Sequence, residues 1–153
     1  MSPIQEQIMK HPFAEGLDSE FGMLISEHAK LESFRVEQPI FTEGYEADRV
    51  YLIQQGRVAI RTLVPGQGTT TVQTLGDGET IGWSWLFLSH HWHMSAVATE
   101  PTDVISLDAH RLRSEMEKNH SFGYAIAMRV GAVMAERLQA SLQRVSELYS
   151  VAS

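Results

Sequence analysis

The chain has 153 residues, 43% hydrophobic and 20% charged, with no cysteine and a formal net charge of −7. That length can bury a core without covalent staples. The missing thiols exclude disulfides, thiolate zinc sites, cysteine-ligated iron–sulfur clusters and thiol catalysis. The acidic balance argues against a nucleic-acid partner, because phosphate backbones draw clustered lysine and arginine, whereas the twelve basic residues here are scattered.

The N-terminus, MSPIQEQIMKHPFAEG, lacks the basic head and apolar run of a secretory signal. The longest apolar stretches fall well short of the ~20 residues that span a bilayer. A cytoplasmic chain without a membrane partner is therefore expected. Residues 1–29 are read as an N-terminal helical segment. Within it DSEFGMLISEHA (18–29) carries Phe21, Leu24 and Ile25 at helical spacing, with Asp18 placed to cap the helix.

After residue 30 the period shortens. KLESFRV (30–36), PIFTEG (39–44), RVYLIQQG (49–56), RVAIRTLV (57–64), TTTVQTLG (69–76), ETIGW (79–83), MSAVAT (94–99) and TDVISLD (102–108) are short β-branched or aromatic runs. Turn signals such as QP, EG, QG, PGQG and GDG fall between the earlier ones. Short strands punctuated in this way predict an all-β sandwich or barrel over residues 30–108, with Val104, Ile105 and Leu107 in its core.

Beyond Asp108 the helical period returns. Asp108 is placed to cap a short helix over 109–118, and Ser121 to cap a long one within 121–150. On the long helix Ile126, Val130, Val133, Met134, Leu138, Leu142, Val145 and Tyr149 form one apolar stripe flanked by charge. A helix of about 28 residues outruns the ~10–14 typical of globular proteins, and a small β-roll has little surface left to cover such a stripe. Self-association into a homodimer through residues 122–149 is the expectation, against a helix folded back onto its own barrel. No linker or repeat divides the chain, so residues 1–153 read as a single domain.

The most informative stretch is GDGETIGWSWLFLSHHWHMSAVA, residues 76–98. Glycine turns, a strand, a short helix and a returning strand give it the outline of an anion-binding cassette. Together with YLIQQGRVAI (51–60), LGDGETIG (75–82), ATEPTDVISLD (98–108) and ERLQASLQRVSEL (136–148), it resembles the cyclic nucleotide-binding domain of the catabolite activator and FNR-type regulators. The resemblance covers nearly the whole chain. It implies a mainly β fold: an eight-stranded double-stranded β-helix (jelly roll) with an N-terminal helix and two C-terminal helices.

In that family a glutamate accepts from the ribose hydroxyl and an arginine forks onto the cyclic phosphate, a bidentate charge-assisted contact. Backbone N–H groups at a helix N-terminus face the same anion. Laid over this sequence, Gly82 matches the family glycine, Trp83 falls at the glutamate, Trp85 at a small residue and Leu86 at a leucine. Counting back from Ala98, Trp92 falls at the arginine, with His93 beside it. Ser141 falls where relatives touch the base through a hydroxyl. Hydrogen bonds to charged groups contribute about 1.5–3 kcal/mol each, so loss of both anchors disfavours cyclic AMP held in the usual mode. The resemblance thus implies a ligand site lined by Gly82, Trp83, Ser84, Trp85, Leu86, Trp92, His93, Ser95 and Ser141. Its ligand would be a cyclic nucleotide or another small anionic or planar molecule, and no cofactor is assigned. The same indoles offer an alternative use, as filling that turns the pocket into core.

Other chemistries compete less well. His91 and His93 would share one side of a strand, as two imidazole metal ligands need, and cupins, which share this barrel type, use such a pair. The carboxylate and further histidine of a cupin are not at hand, because Glu100 is too far along and His110 sits on a helix. The same histidines are the only haem ligands on offer. Ser84 and Ser89 lack an orienting partner for any neighbouring base, and the glycines enclose no βαβ unit, so no enzyme is expected. His11, His28 and His120 read as surface or helix-end residues. Regulators of this family continue past the long helix into a winged helix-turn-helix, whereas this sequence stops at Ser153. The expectation is a non-catalytic regulatory module that signals through its C-terminal helix to an unknown protein partner. The alternatives are a cyclic-nucleotide receptor with substituted anchors, a cupin-like metal-binding protein, and a scaffold with a plugged pocket.

Overall fold

The computed structural model describes residues 1–44, 48–83 and 94–152. Its backbone contacts form two compact units, Met1–Glu115 and Met116–Ser153.

The first unit opens with α1 (Pro3–Lys10), a 3-10 turn (Pro12–Ala14) and α2 (Ser19–Ser26). The α1 helix has no counterpart in the apolar pattern of the sequence. Its start is nonetheless written in Ser2-Pro3-Ile4-Gln5: the Ser2 hydroxyl accepts from the Gln5 N–H at 3.2 Å, and proline occupies the first turn, where its missing N–H is harmless. Gln5 then donates through Nε2 to the Ser19 carbonyl at 3.1 Å, joining α1 to α2. Asp18 is the N-cap of α2 by position, without a side-chain bond to the helix.

Among the described residues eight strands follow: β1 (Ala29–Phe34), β2 (Pro39–Phe41), β3 (Arg49–Gln55), β4 (Arg57–Val64), β5 (Gly68–Gly76), β6 (Thr80–Ile81), β7 (Ser95–Ala98) and β8 (Thr102–Asp108). They build two four-stranded sheets in the orders β1-β8-β3-β6 and β2-β7-β4-β5, with every described pair antiparallel. The mainly β jelly roll with flanking helices is therefore the observed architecture.

The central strands carry the core. Val50, Leu52, Ile53, Val58, Val104, Ile105 and Leu107 are fully shielded from solvent. In β3 and β8 consecutive residues are buried, so both faces of that pair are covered, which erases the alternation expected of a half-exposed strand. The β3–β4 turn depends on Gly56, whose φ of +129° disfavours any side chain. A Cβ there would also stand 2.6 Å from the Thr102 Cα. Its N–H is held by Asp77 Oδ1 at 2.8 Å.

Asp108 ends β8 and caps α3 (Ala109–Lys118) by accepting from the Arg111 N–H at 3.1 Å. The boundary between the two units falls within α3, between Glu115 and Met116. In the second unit α4 runs from His120 to Ala152. Its N-cap is Asn119, whose Oδ1 accepts from the Phe122 N–H at 3.1 Å, and not Ser121, which lies inside the helix. Phe122, Ile126 and Val130 are fully buried, whereas Leu138, Leu142, Val145, Leu148 and Tyr149 are exposed. No helix among the described residues is long and apolar enough to cross a membrane.

Candidate functional site

The approach to the cassette is a stack of short turns fixed by backbone bonds. β5 ends at Gly76, whose N–H donates to Glu79 Oε2 at 3.1 Å while its carbonyl accepts from Glu79 N–H at 3.1 Å. Ile53 on β3 receives the Gly78 N–H at 2.9 Å and donates to the Glu79 carbonyl at 2.8 Å. β6 then supplies two buried residues, Thr80 and Ile81, and Gly82 turns the chain with φ +100°, a conformation that favours glycine.

Trp83 comes next and is 2% exposed. Its indole N–H donates to Thr80 Oγ1 at 2.9 Å, so the one polar atom of the ring is paired. Its face lies on Phe13, with ring centroids 4.9 Å apart and planes 23° from parallel. Phe13 is in turn held by His11: the Phe13 N–H donates to Nδ1 at 3.1 Å, and the second ring nitrogen, Nε2, lies 2.8 Å from the Ile53 carbonyl. An imidazole that accepts at Nδ1 must donate at Nε2, so these two bonds together fix the neutral tautomer. Burial pushes the His11 pKa below its ordinary value, and the hydrogen bond to Ile53 only partly opposes this. His11 does terminate α1, as a helix-end residue, but it is 5% exposed and not on the surface.

On the returning strand, Ser95 is half-buried and its hydroxyl accepts from the Glu43 N–H at 2.9 Å. Ala96 and Ala98 are fully buried, packed in β7 against β4. Arg61 stands opposite Ser95 in the β4–β7 register. Its guanidinium lies 3.7 Å from Glu37 Oε2 and 3.4 Å from the Thr71 hydroxyl, so that cation is already matched by a carboxylate.

Of the residues singled out in the sequence, Gly82, Trp83 and Ser95 lie in the first unit, and Ser141 is an exposed residue of α4 in the second. Ser84, Trp85, Leu86, His91, Trp92 and His93 lie outside the described residues. What the sequence did not reveal is the setting of Trp83. Phe13 and His11 come from a segment some seventy positions earlier, and no local spacing links HPF to GWSW. A shallow groove of about 360 Å³ lies beside the same turns, with Lys10, His11, Gln54 and Asp77 among its lining. Its polar groups are largely spent on protein partners, including Gln54 with Gln7 at 2.6 Å and Asp77 with Gly56.

The described geometry is that of a roll with a glycine-turned cassette entrance. The sequence profile of the cyclic nucleotide-binding domain family matches residues 31–119. The chain belongs to the cyclic nucleotide-binding domain family. Its fold is similar to that of a Geobacter metallireducens GS-15 protein whose name assigns it cyclic nucleotide binding. That protein is 28% identical, with a TM-score of 0.80 over 90% of this chain and 99% of the other. A cyclic nucleotide-binding domain from Methylobacillus flagellatus KT superposes with a TM-score of 0.84 at 21% identity, over 94% and 83% of the two chains. That likeness is one of fold. The Thermus thermophilus catabolite activator protein is 25% identical with a TM-score of 0.71, and the match covers 90% of this chain but 63% of that protein. No curated protein has a sequence that matches this chain.

Proposed function

We propose that residues 1–153 act as one regulatory module that senses a small ligand other than cyclic AMP, or binds cyclic AMP only weakly, and signals through the C-terminal helix to a protein partner. Domains of this family serve as regulatory rather than catalytic modules, and no nucleophile–base pair in this sequence argues otherwise. The observation that carries the reading is Trp83. At the position where the family resemblance places a ribose-binding carboxylate, this chain has an indole with its N–H paired to Thr80 and its face on Phe13. A paired, buried indole contributes neither the charge nor the free acceptor that a ribose hydroxyl needs. The candidate ligand residues remain Gly82, Trp83, Ser84, Trp85, Leu86, Trp92, His93, Ser95 and Ser141, with a planar or anionic molecule as the ligand class.

The same observation favours a second reading, a scaffold whose pocket is filled by its own aromatic side chains. The two separate on ligand screening. The sensor reading requires a small molecule that raises the melting temperature and is lost on Trp92→Ala. The scaffold reading requires that none does, while a partner protein still binds.

Signalling would use the helices after the roll, since a ligand acts only through its differential affinity for two arrangements of the protein. α3 grows directly out of β8, with the Ala109 N–H on the Asp48 carbonyl at 3.0 Å. The exposed apolar residues Leu138, Leu142, Val145 and Tyr149 on α4 support self-association through a second copy of the chain. They confine the proposed seam to the C-terminal half of the helix. Thermal-shift and calorimetric titration with cyclic AMP and cyclic GMP tests the ligand part of the proposal. Sedimentation tests the dimer.

A further inference from the structure

A second cluster of polar side chains lies where the end of α2 and the start of β1 approach α3. His28 closes α2, its N–H donating to the Ile25 carbonyl at 3.0 Å, and its own carbonyl accepts from the Asp108 N–H at 2.9 Å. Those two bonds pin residue 28 between the end of one helix and the origin of the next. Glu115 lies two turns along α3, one turn after the buried Leu112, and its Oε1 is 3.5 Å from His28 Nε2. Glu27, the C-cap of α2, completes the group. One ligand atom from each of Glu27, His28 and Glu115 falls within 4.8 Å of the others.

The imidazole is the telling member. Its side chain is 13% exposed, and both ring nitrogens are shielded from solvent without a hydrogen-bond partner. Buried polar atoms in native proteins are almost always paired. A ring without a hydrogen-bond partner, set beside two carboxylates, suits a positive group that can accept the lone pair of one of its nitrogens.

We infer that Glu27, His28 and Glu115 form a binding site for a divalent transition-metal cation, with zinc the ion that the donors fit. A neutral imidazole and two carboxylates balance a dication in charge. Mixed nitrogen and oxygen donors suit zinc, with one position left for water, whereas calcium takes six to eight oxygens. The exposed Glu27 gives the ion a path in, and the half-buried Glu115 and His28 hold it. Bound there, the metal ties the end of α2 to α3. The site owes nothing to the ligand chosen by the cassette, and nothing to His91 and His93.

The test is equilibrium dialysis of the whole chain against zinc after chelator treatment, with the metal counted by mass spectrometry. Parallel samples carry Glu27→Gln, His28→Gln, Glu115→Gln and the double change His91→Ala/His93→Ala, each checked for native circular dichroism. The expected result is one zinc per chain in the unmodified protein and in the double variant. The three single variants should each bind more weakly by more than about tenfold, since even indirect partners of a metal contribute that much. Glu27→Gln, at an exposed position, keeps the test decisive if a change at His28 disturbs folding. No zinc in the unmodified chain, or zinc held equally by the three single variants, overturns the site.

Discussion

Phe13 and Trp83, seventy positions apart in sequence, lie face to face with ring centroids 4.9 Å apart. The contact joins the N-terminal segment to the first residue after the glycine turn of the cassette. It explains why Trp83 is buried: the segment that follows α1 covers the indole. Removing the lid should therefore be felt at the cassette entrance. Phe13→Ala is expected to lower stability by about 3–5 kcal/mol, as for other buried phenylalanines. Urea denaturation measures the loss.

Thr80 supplies the hydroxyl that pairs the indole N–H at 2.9 Å. Thr80→Val keeps the shape and strands a buried donor, which should cost about 1–3 kcal/mol. Thr80→Ser, which keeps the hydroxyl, should recover most of that loss in the same denaturation series.

His11 is held neutral between Phe13 and Ile53, with its pKa pushed below 6.5 chiefly by burial. The unfolded chain then takes up a proton at a higher pH than the folded one. The contribution of this ring to stability is complete above 6.5 and is lost as the pH falls through that value towards the folded pKa. The melting temperature should drop on acidification from pH 7.5 to pH 5. His11→Gln should melt lower at pH 7.5 but show a shallower acid slope. Equal slopes for the two proteins would remove His11 from this role.

The exposed face of α4 gives the prediction for assembly. Leu138 and Leu142 are 60% and 59% exposed, one turn apart on a single face. Leu138→Glu/Leu142→Glu should convert a dimer to a monomer in sedimentation equilibrium while leaving the helical circular dichroism signal intact. A mass that does not change would direct the apolar face to another partner.

Much of this fold is legible in the sequence because strands with turn residues between them leave a short-period record. β4 and β5 are bracketed by Gly56, Pro65-Gly66 and the Gly76–Gly78 turn, and each of the eight runs found between residues 30 and 108 corresponds to a strand. The shorter signals mislead. α1 hides because Ile8 is its only fully buried apolar side chain, leaving just the Ser2–Gln5 cap to announce it. Ser121 and Asn119 are both good capping residues two positions apart, and only backbone geometry chooses between them. The surroundings of Trp83 and of His28 are invisible locally because both are made by segments distant in the chain. The β1–β8 pairing helps bring Asp108 and Glu115 to the His28 region.

We propose that indoles at positions 83 and 92 stand where the family resemblance puts its charged clamps, so that cyclic AMP is not held there in the usual way. Isothermal titration of residues 1–153 with cyclic AMP measures this. No saturable heat is expected until the nucleotide approaches about 1 mM, a binding energy near −4 kcal/mol. A stoichiometric isotherm with a micromolar dissociation constant would contradict it.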